Sequence, residues 1–143
     1  MATVYGDIAK AVRKKYDDTA ALNALTATTG SCWHNEAPPN SDMIYITFDI
    51  ISIIPTYTLN DIATPRENVR VSFSIFSDTL SPSAVYNTMD KLEAAYGEAG
   101  SGLVFTGATY TQIDSIVESV NLDRNDGVWH ALMDYQMMFE KAA

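Results

Sequence analysis

Three side chains in this sequence could share nucleophilic or metal chemistry: Cys32, His34 and His130. Cys32 and His34 stand two apart, so on a strand they would face the same way. With His130 they could form a thiol–imidazole pair or part of a zinc site. The ligand count argues against it. A zinc site draws about three or four ligands from a spaced set. The sequence offers one Cys and two His, with no CxxC and no HxxxH. The expectation is a small buried Cys32 and two histidines at the surface or rim.

Other candidate motifs fail in similar ways. Gly97-Glu98-Ala99-Gly100-Ser101-Gly102 is glycine-rich like a phosphate loop. It follows a predicted helix instead of opening one, contains Glu98, and lacks the lysine of a P-loop. It reads as a flexible connection. Asp123-Arg124-Asn125-Asp126-Gly127 invites a calcium reading. Its glycine arrives too early for an EF-hand loop, and no glutamate closes it. A plain turn is expected there. The pairs Asp114/Glu118 and Asp90/Glu93 lack apolar surroundings that would raise one pKa, so they read as solvated surface groups. There is no Gly-x-Ser-x-Gly elbow and no dinucleotide-binding fingerprint. No catalytic residue, metal site or cofactor is expected, and the chain is not read as an enzyme.

The bulk properties narrow the remaining classes. At 143 residues the chain has the size of a single domain, 1–143. With 47% hydrophobic and 19% charged residues, it can bury a core without staples. Eighteen acids against nine bases give a net charge of −9. That excess opposes nucleic-acid binding, where Lys and Arg must displace counterions, and opposes anionic membranes. A lone cysteine forms no internal disulfide. No apolar run has the length of a signal peptide or a membrane span, so a soluble intracellular chain is expected.

The elements that must position any site follow from periodicity. Val4, Ile8, Ala11 and Val12 share a helical face, with Thr3 as a plausible N-cap. Ala21, Leu22 and Leu25 continue it or form a second short helix ending at Gly30. Cys32 to Glu36 suits a short strand before Pro38-Pro39. Residues 43–54 are β-rich, and their phase slips at Ile50-Ile51, which calls for a bulge. Residues 69–76 alternate cleanly, Val69, Val71, Phe73 and Ile75 on one side. Ser81 and Pro82 open a helix whose stripe is Val85, Met89, Leu92 and Tyr96, and Gly97 ends it. Leu103 to Phe105 suits a short strand. Thr109–Val120 fits either helix or strand. Trp129 to Phe139 alternates although its composition favours helix, and the Asp-Gly turn before it argues for a hairpin. The fold class is α+β: a mostly antiparallel β-sheet with two or three helices packed on one face.

One segment does not fit a bland reading. Pro55 to Asn68 connects two strands that should pair, where a hairpin needs only about two to five residues. It carries Tyr57, Leu59, Ile62 and Arg66. Apolar residues on a long connection suggest a surface that binds another chain, or a flap over the protein's own core. The four residues are the candidate partner-binding set.

The order of elements resembles that of the tail-terminator and tail-completion proteins of long-tailed bacteriophages. The matching pieces are the N-terminal DIAKAVRKKYDD, then NEAPPNSDMIYITFDIIS, then YTLNDIATPREN before VRVSFSIFSDT. They continue with a helix at SPSAVYNTMDKLEAAYG and a closing hairpin, SIVESVNLDRNDGVWHALMDYQMMFEKA. Gly97 to Tyr110 departs from the pattern. The resemblance implies a hexameric ring that caps the tail tube and faces the head–tail connector. It places the protein in the virion tail or neck, assembled in the host cytoplasm, with no enzymatic activity and no cofactor. An acidic face could line a channel through which DNA passes without sticking. The alternative is a small acidic monomer of the inhibitor or immunity type, binding one basic protein partner.

Overall fold

The computed structural model describes residues 2–25, 32–38, 43–58, 61–98, 100, 102–105 and 110–141, and the side chains of 2–4, 55–58, 61–65 and 141 lie outside that description. The first helix, α1, runs Ala2–Asp18. Ile8, Ala11, Val12 and Tyr16 form its buried stripe. Thr3 lies inside it, so Thr3 is not the N-cap the sequence suggested. The helix stops where Thr19 turns extended, at φ −101° and ψ 92°. The Thr19 hydroxyl donates to the Lys15 carbonyl at 2.6 Å, satisfying one of the last orphan acceptors. A single further turn, α2 (Ala20–Asn23), buries Leu22. It ends well before Gly30, which lies outside the described residues.

Five strands follow: β1 (Cys32–His34), β2 (Tyr45–Thr58), β3 (Asp61–Ser77), β4 (Tyr110–Asn125) and β5 (Val128–Lys141). They form one sheet in the order β1-β2-β3-β5-β4. Only β1 on β2 is parallel; the other pairings are antiparallel. The expected α+β class is therefore the observed one. The phase slip at Ile50-Ile51 is a register shift between Ile50 and Ser52, which leaves Ile51 exposed. The ambiguous last third resolves as the β4–β5 hairpin. Asp126 at φ 52° and Gly127 at φ 79° turn the chain, both in the left-handed region that a two-residue hairpin requires.

One face of the sheet carries the core. Val69, Val71, Phe73 and Ile75 on β3 lie opposite Met137, Tyr135, Met133 and Ala131 on β5. All are buried. Fully burying an aliphatic or aromatic side chain contributes about 1.5–3 kcal/mol. This requirement overrides the helix propensity of Ala, Leu, Met and Gln in β5. The third helix, α3 (Ser83–Tyr96), lies against this face through Val85, Leu92 and Tyr96. Its first amide, Ser83 N–H, donates to Ser81 Oγ at 3.2 Å. Tyr96 packs its ring at a tilt on Phe73, centroids 4.6 Å apart, and donates its hydroxyl to the Val12 carbonyl at 2.7 Å, tying α3 to α1. Gly97 follows; a Cβ there would sit 2.6 Å from the Glu93 carbonyl oxygen, so only glycine fits. Leu103 and Phe105 are buried but form no strand, contrary to expectation. Leu103 N–H donates to the Gln112 side chain at 2.7 Å in place of a ladder bond.

Candidate functional site

The segment from Pro55 to Asn68 is not the long loop its sequence suggested. β2 and β3 continue through it as a hairpin, with Pro55 opposite Glu67, Thr56 opposite Arg66 and Thr58 opposite Asp61. The register shifts again between Thr56 and Thr58. β5 accompanies β3 only as far as the Arg66–Glu140 pair, and β1 accompanies β2 only to Phe48. Beyond Arg66, then, the two strands pair with each other alone among the described residues. The result is a two-stranded arm on a five-stranded sheet. Pro55, on β2 beyond Phe48, and Pro65, on β3 beyond Arg66, each lie where their strand has at most one neighbour among the described residues, the edge position where proline is tolerated. Free edges are also templates for another chain.

Of the four candidate partner-binding residues, Arg66 sits at the root of the arm and is exposed. Tyr57 and Ile62 lie on its two strands, with side chains outside the described set, and Leu59 lies outside the described residues. The next residue inward from Arg66, Glu67, is buried on the core face. Burial, followed by the Glu67 charge, holds the Tyr110 phenol above its ordinary pKa.

The thiol–imidazole set divides. Cys32 and His34 share the core face of β1, as their spacing implied, with His34 stacked on Phe48 at 4.9 Å. His130 lies on the other face, stacked on Phe76 at 4.6 Å. Cys32 is buried, and burial pushes its pKa up to about 12 against the pull of Arg13. A thiol so held is a poor nucleophile at neutral pH, because the thiolate is the reactive form. Among the described residues no group of three His, Cys, Asp or Glu is placed to hold a metal ion.

The acidic pairs have different fates. Asp114 and Glu118 are exposed: Glu118 pairs with the Arg70 guanidinium, and Asp114 accepts the Ser115 amide at 2.9 Å. Asp90 is exposed too, whereas Glu93 is half-buried and accepts the Tyr135 hydroxyl, so the solvated reading fails for Glu93. Burial first, then this bond, raises the Tyr135 pKa.

The sheet face opposite the helices carries a surface that sequence reasoning missed. Trp33, Tyr45, Phe76 and His130 run across four strands in an unbroken aromatic row. Successive ring centroids are 5.8, 5.0 and 4.6 Å apart. Their signal in the sequence was the off-phase position of each in an alternating run, and only the strand register brings them together. No helix among the described residues is long and apolar enough to cross a membrane.

No known family profile matches the chain, and no characterised protein is detectably similar in sequence. Solved structures are informative where sequence is not. A chain from the virion of a native gene transfer agent particle superimposes with a TM-score of 0.73. The likeness covers 98% of this chain and 99% of that one, at 15% sequence identity. This is a whole-chain match of fold. A virion component thus uses the same arrangement of strands and helices.

Proposed function

We propose that the chain is a structural protein of a phage-type virion, acting as a tail terminator. In this role, copies close into a hexameric ring that caps the tail tube and presents a surface to the head–tail connector. The observation that carries the reading is the end-to-end fold match to a virion chain, without large unmatched insertions on either side. The order of elements, which resembles the tail-terminator pattern, points the same way.

The geometry suits such a role. A ring of identical copies needs two different surfaces per copy that fit each other. The arm built from β2 and β3 and the half-buried aromatic row on the other face of the sheet are surfaces of that kind. The excess of carboxylates would keep passing DNA from adhering to a ring's lumen, since like charges repel. The role proposed is non-catalytic: its contacts are those of assembly, and the buried Cys32 thiol and the separated histidines are given packing roles.

Electron microscopy of the purified protein tests the reading. Closed rings of uniform diameter, and their attachment to the ends of tail tubes, are the expected result. A chain that stays monomeric at every concentration and binds a single basic protein would replace this reading with the inhibitor one.

A further inference from the structure

We draw no further inference here: the strongest candidate, the groove of about 460 Å³ where α1 meets β1, with an apolar floor of Ala9, Cys32 and Phe48, carries none, because Asp17 and Asp18 on its rim already pair with Arg13 and Lys14 and nothing in the structure shows what covers it.

Discussion

The two hairpins of this protein differ in the strands that run beside them. β4–β5 has a buried face along most of its length: Ala131, Met133, Tyr135, Met137 and Phe139 are each buried, and the residues between them are not. β2–β3 has β5 beside it only inward of Arg66. Outward of that pair it is a ribbon with no third strand among the described residues. Where a face is buried, side chains are dictated by the monomer's own core. Tyr57 and Ile62 lie on stretches of β2 and β3 that lack the β5 neighbour present at the root.

The largest effect should come from the shared root of both hairpins. Phe73→Ala removes a ring packed against Phe48, Tyr96 and Tyr135. It should cost about 3–5 kcal/mol in chemical denaturation. A smaller effect is expected at the closed hairpin's turn. Gly127→Val puts a β-branched residue at φ 79° and should cost on the order of 1–3 kcal/mol, seen as a lower Tm.

A pH-dependent effect comes next. The Cys32 pKa is raised from 9.0 to about 12 in the folded protein. The folded state therefore holds the thiol proton more tightly than the unfolded chain. The stability this contributes is complete below pH 9 and is lost as pH rises from 9 towards 12. Between about pH 8 and pH 10 the wild type should lose about 1 kcal/mol more than Cys32→Ala, read from urea midpoints. Equal losses would mean the thiol is not desolvated.

The smallest effect on stability is expected at the arm. Tyr57→Ser, Leu59→Ser and Ile62→Ser together should leave the monomer's stability within about 0.5 kcal/mol of wild type. A large drop in Tm would instead assign these residues to the core and erase the contrast between the hairpins.

The same contrast explains what could be read in the sequence. β5 was legible because its core face imposes strict alternation from Trp129 to Phe139, strong enough to outweigh helix-forming residues. The bulge at Ile50-Ile51 was legible because two apolar residues adjoin where one face must stay buried. The arm was not, because Pro55, Asn60 and Pro65 read as loop punctuation. Leu103 and Phe105 misled in the opposite sense: they are buried and alternate, yet the Gln112 side chain takes the place of a partner strand. The aromatic row and the α1–β1 groove depend on residues distant in sequence, and only strand register and helix docking unite them. Cys32 and His34 shared a face as their spacing implied, but nothing local placed His130 on the far side.

The most direct test of the central claim, that this chain works by assembling with copies of itself, is the solution mass of the wild type and the Tyr57/Leu59/Ile62 triple-serine variant, measured side by side. The account predicts a closed oligomer for the wild type and predominantly monomer for the variant, with matching melting curves at low concentration. Buried interface anchors cost on the order of 1–4 kcal/mol each when truncated, enough to dissolve a ring. A variant with the same oligomeric mass as wild type would contradict the role assigned to the arm, and a wild type that is monomeric at every concentration would contradict the account as a whole.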